Sequence, residues 1–358
     1  SRARWIVQGR APPWFAEKII LAGGSGIFSQ SLAQSGTGQK TSIVEVLMTP
    51  EISMLIVLVI LCVYTNIINP AFFAVKNIRI ILRNCAFIGA LAIGEAFALM
   101  CGEIDLSIGC NSLFSSVVFA SCSITLGWGP LPSVLAGLLA AVLIGVLNSV
   151  VTLRFGMTSW ITTLATQYIC KGLATVISRG GAISSLKGIF QKISAARPIG
   201  LSWMLLIVVL IAVIAEVLLR FTPVGRKVHA VGISQEASRI AGLNVRRIKS
   251  LCMIFAGFMA GVCGVLQSIG SLSGSPTTGV GNEFPAIICC AIGGVSTTGG
   301  KGSIVGAMVG VLMFQTLKNC LQTLGLSSNV QTVVTGIILL AAVSFDLIKK
   351  SLQTRRVK

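Results

Sequence analysis

The chain has 358 residues, of which 54% are hydrophobic and only 11% are charged. Soluble domains carry about 25% charged residues, so this composition excludes a soluble globular protein and indicates one membrane domain. The net charge of +18 does not indicate nucleic-acid binding, because the basic residues lie between apolar segments and at the ends, where membrane topology and anionic lipids account for them.

Residues 1–44 are the first distinct segment, and they are polar, basic and rich in Gly and Ser. Because this composition offers little to bury, we expect a mobile tail. The segment also lacks the apolar core and cleavage site of a secretory signal.

Apolar segments of the length of a membrane span occupy residues 45–348. A helix needs roughly 20 apolar residues to cross a bilayer, so the chain length allows about eight to ten spans. The candidates lie near 52–68, 80–101, 107–126, 132–152, 159–178, 201–219, 249–270, 284–298, 303–321 and 330–347. The sequence therefore predicts an all-α polytopic membrane protein with about 8–10 transmembrane helices. The eighth candidate is short and flanked by glycines, which is typical of a re-entrant segment.

Two carboxylates stand between two of these apolar segments, in Gly102-Glu103-Ile104-Asp105-Leu106-Ser107-Ile108-Gly109. An ionised Asp at the centre of a membrane helix costs roughly 2.5–3.5 kcal/mol, so it usually faces a protein interior or a wet cavity. The flanking glycines allow the helix to break there. A short loop at the membrane surface is the alternative interpretation, because carboxylates cost little in water.

The segment 220–249 contains seven basic residues and one acid, Glu236. The positive-inside rule places this loop, the N-terminal tail and the basic tail 349–358 in the cytoplasm. Six spans before the loop and four after it are compatible with all three placements.

A short helix is predicted within this loop. Ser234 suits an N-cap, Glu236 suits a first helical turn, and Gly242 suits the residue just past the C-cap. The helix is amphipathic and lies outside the membrane. It either rests on the lipid surface or docks a soluble partner.

Neither a metal site nor a nucleotide site is predicted. The eleven cysteines form no C-x-x-C motif and lie almost entirely in apolar segments, so they read as small hydrophobic residues. The stretch 299–303 looks superficially like a phosphate loop, but Val295 stands where that loop needs Gly, and Gly302 where it needs Ser or Thr. We expect a tight turn between two close helices there, and no cofactor.

Several motifs, in order along residues 66–347, resemble the permease subunits of ABC importers for ribose, xylose, arabinose and related sugars. The motifs are Gly102-x-Ile104-Asp105-Leu106-Ser107-x-Gly109, Thr222-Pro223-Val224-Gly225-Arg226, Ala230-Val231-Gly232, Glu236-Ala237, Gly242-Leu243-Asn244-Val245, Gly293-Gly294-Val295-Ser296, Gly299-Gly300-Lys301-Gly302 and Leu324-Gly325-Leu326-Ser327-Ser328. The wider superfamily includes branched-chain amino-acid and nucleoside permeases, which share the later motifs. The chain departs from the family at Glu103, where the family usually has a small residue.

The resemblance implies a transport subunit in the bacterial inner membrane and not an enzyme. It implies three kinds of partner: a second permease subunit, cytoplasmic ABC ATPase subunits that hydrolyse the ATP, and a periplasmic binding protein that delivers a monosaccharide or related small polar solute. A permease for branched-chain amino acids or nucleosides is the alternative. An ion-coupled secondary transporter is less favoured, because it would not need a docking helix.

The resemblance also assigns residues to two sites. It implies that Asp105 and Ser107, with Glu103 beside them, lie near the translocation pathway. It implies that the helix coupling the permease to the ATPases contains Ser234, Glu236, Ala237, Arg239 and Gly242.

Polar side chains share one face of the candidate span at 159–178. Thr163, Gln167 and Lys171 are four residues apart, which places them on one side of a helix. Their polar groups suit hydrogen bonds to a sugar in transit, and Gln167 is therefore a pathway candidate. Hydrogen bonds between helices, worth about 0.6 kcal/mol each, are the interpretation we favour.

Overall fold

The computed structural model describes residues 50–340, so the tails predicted at 1–44 and 349–358 lie outside the described residues. The helices are α1 (Pro50–Ile68), α2 (Val75–Met100), α3 (Ile108–Ala120), α4 (Pro130–Arg154), α5 (Ser159–Ser178), α6 (Ile189–Ala195), α7 (Trp203–Phe221), α8 (Pro223–Ile233), α9 (Gln235–Ile240), α10 (Val245–Ser271), α11 (Glu283–Ile292), α12 (Ile304–Thr323) and α13 (Ser328–Leu340). A π-helical turn (Ser121–Thr125) extends α3, and 3-10 turns form at Pro70–Phe73 and Pro198–Gly200. The strands of the described residues are β1 (Ile183–Ser184) and β2 (Ser273–Gly274), which pair antiparallel.

Six helices of the described residues are long and apolar enough to cross a membrane: α2, α3 with its extension, α4, α7, α10 and α12. This confirms the predicted all-α polytopic fold. Each of the ten predicted spans coincides with one helix, namely α1 to α5, α7 and α10 to α13. The last predicted span, 330–347, continues beyond the described residues.

Helix α11 is shorter than a membrane span. It has ten residues, so it is about 15 Å long, against roughly 30 Å of hydrocarbon in a bilayer. Its first residue, Glu283, is buried. The structure therefore agrees with the prediction that this segment does not cross the membrane as a full helix.

Helix α10 packs closely against α2, α3 and α4, and glycines permit the close approach. A Cβ on Gly257 would lie 2.9 Å from Cα of Gly145 in α4. A Cβ on Gly264 would lie 2.1 Å from the backbone oxygen of Ser112 in α3. Small residues at helix contacts are typical of membrane bundles, where van der Waals packing drives association.

The end of α2 meets the 220–249 loop. The carbonyl oxygen of Met100 accepts a hydrogen bond from the Gly300 amide (2.9 Å), and a Cβ on Gly232 would lie 1.9 Å from the same oxygen. This end of the bundle is termed the loop end. Helix α10 begins here too, because Lys249 in its second turn bonds to Glu103.

The turn between α11 and α12 is as tight as the sequence predicts. A Cβ on Gly293 would lie 2.2 Å from the backbone oxygen of Gly306, so the two helices touch through their backbones. Glu216 of α7 accepts hydrogen bonds from the amides of Ile304 (2.8 Å) and Val305 (3.3 Å). This carboxylate therefore stabilises the positive end of α12.

Candidate functional site

Residues 101–107 join α2 to α3 without helical structure, and all of them except Gly102 are buried or half-buried. Asp105 is 1% exposed, Ser107 is 0% exposed and Glu103 is 7% exposed. The amide of Asp105 donates to Oε1 of Glu95 (3.3 Å), so the segment folds back beside the last turns of α2. The two carboxylates are therefore enclosed by protein and not solvated, as the surface-loop interpretation would require.

Helix α5 supplies hydroxyl groups that satisfy the backbone of this break. The amide of Ile104 donates to Oγ of Ser159 (3.3 Å), and the amide of Leu106 donates to Oγ1 of Thr163 (3.0 Å). The two hydroxyl-bearing residues are four positions apart, so they stand one above the other on α5. An unsatisfied backbone amide in a membrane costs several kcal/mol, and α5 removes that cost at alternate residues of the break.

Asp105 holds the start of α3. Its Oδ1 accepts hydrogen bonds from the backbone amide of Ser107 (2.9 Å) and from the Ser107 hydroxyl (2.5 Å). The carboxylate thus binds an amide that the break leaves free, next to the positive N-terminus of α3.

A line of buried side-chain hydrogen bonds leads away from Ser107 across three helices. Asn148 of α4 donates from Nδ2 to the Ser107 hydroxyl (2.9 Å). Thr166 of α5 donates from Oγ1 to Oδ1 of Asn148 (2.7 Å). Asp105, Ser107, Asn148 and Thr166 therefore form one network of hydrogen bonds that links the break to α4 and α5.

Glu103 forms a buried ion pair with Lys249 of α10. It is the one ion pair in the described part of the chain. The sequence places Lys249 at the end of the basic loop and at the start of the 249–270 span, and the structure shows it only 5% exposed. The family pattern, which usually has a small residue at this position, does not indicate that Glu103 has such a partner.

A cavity of about 460 Å³ leads from α9 to the break. Gln235 and Arg239 line it at the α9 side, and Glu103, Ile104 and Lys249 line it at the break. The buried ion pair of Glu103 and Lys249 therefore lies at the end of the cavity that is next to the break.

Gln167 lies apart from the Asp105 network. Its Nε2 donates to Oε1 of Glu283 (2.9 Å), the first residue of α11. A Cβ on Gly109 would lie 2.3 Å from Oε2 of Glu283. The N-termini of α3 and α11 are therefore in contact inside the bundle. The interhelical hydrogen bonds favoured for the polar face of α5 are confirmed for Gln167. Thr163 bonds instead to the non-helical break, and Lys171 is exposed.

Three buried carboxylate oxygens have no hydrogen-bond partner among the described residues: Oε2 of Glu95, Oδ2 of Asp105 and Oε2 of Glu283. Buried polar atoms are normally hydrogen-bonded to protein or to ordered water. In this conformation these oxygens are enclosed by protein, and none of their residues lines the 460 Å³ cavity.

The short helix of the loop has the predicted caps. Oγ of Ser234 accepts a hydrogen bond from the amide of Ala237 (3.2 Å), and Gly242 adopts a left-handed φ of 81°. The amide of Leu243 donates to the carbonyl of Ser238 (3.0 Å), which completes a Schellman end. Helix α9 is thus fixed by its own sequence.

The apolar side of α9 does not pack on the described protein. Ile240 of α9 is 83% exposed, and Ile233, the last residue of α8, is 71% exposed. Glu236, Ala237 and Arg239 are exposed as well. The helix therefore presents apolar and charged side chains outward at the loop end.

Sequence reasoning missed the residues that support the break: Glu95, Asn148, Thr166, Lys249 and Glu283. Glu95 stands within an apolar segment, and the rule that marks Asp105 as a candidate also marks Glu95. The partners of Asn148 and Thr166 come from other helices, so no local pattern identifies them.

Comparison of the sequence with known proteins identifies the family of the chain. The family model described as the permease component of a branched-chain amino acid transport system matches residues 77–343. The ribose import permease protein of Bacillus subtilis is 35% identical over 291 residues, 81% of this chain and 90% of that protein.

Two L-arabinose permeases are also similar. The L-arabinose ABC transporter permease protein of Azospirillum brasilense is 34% identical over 305 residues, 85% of this chain and 89% of that protein. The L-arabinose transport system permease protein of Escherichia coli is 34% identical over 326 residues, 89% of this chain and 98% of that protein. The matched residues include both the buried break and the 220–249 loop. The chain is therefore a multi-pass membrane transport subunit that belongs to the family of permease components of branched-chain amino acid transport systems.

Proposed function

We propose that this chain forms the translocation pathway of an ATP-driven importer and carries a monosaccharide, such as a pentose, or a related small polar solute across the bacterial inner membrane. One observation supports this most strongly. The buried, hydrogen-bonded break follows the end of α2, and the end of α2 contacts the 220–249 loop, which presents a docking helix. The relatives named for ribose and L-arabinose transport support the choice of solute.

The pathway residues are Asp105, Ser107, Glu103 and Gln167. Unpartnered oxygens of Asp105 and Glu283 lie near the starts of α3 and α11. Broken helices with buried N-termini are a recurrent way to build a polar site within a membrane. Carboxylate oxygens accept hydrogen bonds from hydroxyl groups, so these groups suit a neutral, hydroxyl-rich solute.

An amino acid fits this site less well than a sugar. Its carboxylate would need a cation or a free helix N-terminus. The starts of α3 and α11 already carry the carboxylates of Asp105 and Glu283, and Lys249 is the one buried cation among the described residues. Lys249 is already paired with Glu103. The charge arrangement therefore favours sugar over branched-chain amino acids.

The coupling helix for the ATPases is α9 with its flanking residues, including Ser234, Glu236, Ala237, Arg239 and Gly242. Its exposed apolar residues support docking to a protein. The other proposed partners are a second permease subunit and a periplasmic binding protein. With the 220–249 loop in the cytoplasm, both termini of the chain are cytoplasmic by the distribution of basic residues.

Movement of the loop would reach the break through backbone contacts. Gly232 at the end of α8 and Gly300 of the α11–α12 turn both abut the carbonyl of Met100, the last helical residue before the break. Closely packed backbone cannot absorb displacement by side-chain adjustment. A shift of α8 and α9 would therefore move the end of α2.

Replacement of Ile240 by Glu is expected to weaken ATPase binding at least about tenfold, because a charge in the centre of a protein interface must lose its water without a partner. Co-purification of the cognate ATPase subunits with the tagged permease measures this, and uptake should fall with it. Ile189→Glu is the matched control, since Ile189 is 51% exposed on α6, outside the loop. ATPase retention by Ile240→Glu at the level of the control would remove α9 from the docking surface.

A further inference from the structure

A second cavity, separate from the one that leads to the break, lies between α10, α7 and α8 at the loop end. Its volume is about 850 Å³, which is within the range of ligand-binding pockets. Its lining follows α10 from Asn244 to Phe258, a rise of about 21 Å. We refer to this cavity as the α10 groove.

One end of the α10 groove, next to the N-termini of α8 and α10, is positively charged. Lys227 and Arg247 line it, both are exposed, and neither forms an ion pair with a described residue. The groove is also lined by Val224 and Asn244, at the N-termini of α8 and α10. Helix N-termini favour anions, and no acidic residue lines the groove. Two cationic side chains and two helix N-termini therefore lie at this end of the groove, and no acidic side chain of the lining balances their positive charge.

The other end of the α10 groove is apolar and aromatic. The ring centroids of Phe97 and Phe255 are 4.6 Å apart, and those of Phe255 and Phe258 are 6.3 Å apart. Leu251, between the aromatic end and the charged end, is 55% exposed. These surfaces offer few hydrogen bonds, so the groove does not suit a sugar.

The change from charged to apolar lining along the groove matches the change from headgroups to acyl chains across a bilayer leaflet. Its charged end lies where the span of α7 ends at Phe221 and the span of α10 begins at Val245. Ends of spans lie near the headgroups, and the aromatic end lies two to three helical turns further along the span, at hydrocarbon depth. Charge is thus at headgroup depth and apolar surface at acyl-chain depth.

We propose that the α10 groove binds one phospholipid with an anionic headgroup, taken from the leaflet at the loop end. Lys227 and Arg247 hold the phosphate, and Leu251, Phe255 and Phe258 pack against an acyl chain. Basic pockets between transmembrane helices bind acidic lipid headgroups by this combination of charge and apolar contact. Because Gly242 and Leu243 also line the groove, the bound lipid would lie directly beside the end of α9.

Native mass spectrometry of the purified full chain, titrated with phosphatidylglycerol, tests the proposal. We expect a one-lipid adduct that phosphatidylcholine forms at least about tenfold more weakly, since its choline cancels the phosphate charge. Lys227→Gln/Arg247→Gln should weaken the phosphatidylglycerol adduct by about tenfold or more. The matched control is Arg220→Gln/Arg226→Gln, which removes the same charge from the same loop outside the groove lining and should change binding less than twofold.

Three results would overturn the proposal. Equal binding of both lipids, or equal binding by the two double variants, would show that the groove does not select the headgroup. Competition by inorganic phosphate at concentrations that match the lipid would show an anion site without a lipid. A dimer mass that disappears in Lys227→Gln/Arg247→Gln would show that a second copy of the chain covers the groove. Unchanged thermal unfolding of that variant ensures that lost binding is not lost folding.

Discussion

Asp105→Leu is expected to abolish uptake while the chain still accumulates in the membrane at near-normal abundance. Oδ1 of Asp105 accepts both the amide and the hydroxyl of Ser107. Leucine leaves that buried amide without a partner, at a cost of about 1–3 kcal/mol, and detaches the hydroxyl from the network that continues to Asn148. Asp105→Asn keeps an acceptor oxygen at the same place and loses the charge, so its uptake should be intermediate.

The measurement is solute uptake in proteoliposomes that contain the complete transporter, normalised to the amount of inserted permease. Asn69→Leu is the matched control, because Oδ1 of Asn69 accepts the amide of Ala71 (3.1 Å), with the same two-residue spacing at an exposed turn. Its uptake should remain at the wild-type level. Wild-type uptake by Asp105→Leu would show that the break is not part of the pathway.

Glu103→Ala is expected to destabilise the chain strongly, by about 3–5 kcal/mol, because it leaves the buried ammonium of Lys249 without its counter-charge. The small residue that the family usually has at this position would favour tolerance of the change, whereas the buried ion pair with Lys249 favours sensitivity to it. Removal of both charges in Glu103→Ala/Lys249→Met should restore much of the lost stability, since no unpaired charge then remains buried.

Thermal unfolding of the detergent-solubilised permease measures this difference. Glu236→Ala is the control, because Glu236 is exposed and forms no ion pair with a described residue. Its unfolding midpoint should be close to that of the wild type. A double variant no more stable than Glu103→Ala would mean that the ion pair is not the source of the effect.

Local and periodic features could be predicted from the sequence. The ten apolar segments, the helix break and the capped helix α9 each depend on residues close together in the chain. The break follows from glycines beside an acid in a membrane segment. The ends of α9 follow from Ser234 and Gly242, whose hydrogen bonds and φ angle are local properties.

Contacts between distant residues could not be predicted. Ser159 and Thr163 bind amides of the break more than 50 positions earlier in the chain, and Lys249 meets Glu103 across 146 positions. A polar residue on an apolar helix shows that a partner exists without showing which one. The separation of Gln167 from the Asp105 network has the same cause, since Glu283 of α11 engages its amide.

ATP-dependent uptake by the reconstituted transporter tests the central claim most directly. Proteoliposomes contain this chain with its cognate ATPase subunits, ATP is trapped inside or omitted, and the binding protein is added outside with labelled ribose, L-arabinose or xylose. The account predicts that at least one of these sugars accumulates only when both ATP and the ATPase subunits are present, and that the chain alone hydrolyses no ATP. Uptake by the chain alone, driven by a proton or sodium gradient without ATPase subunits, would contradict it.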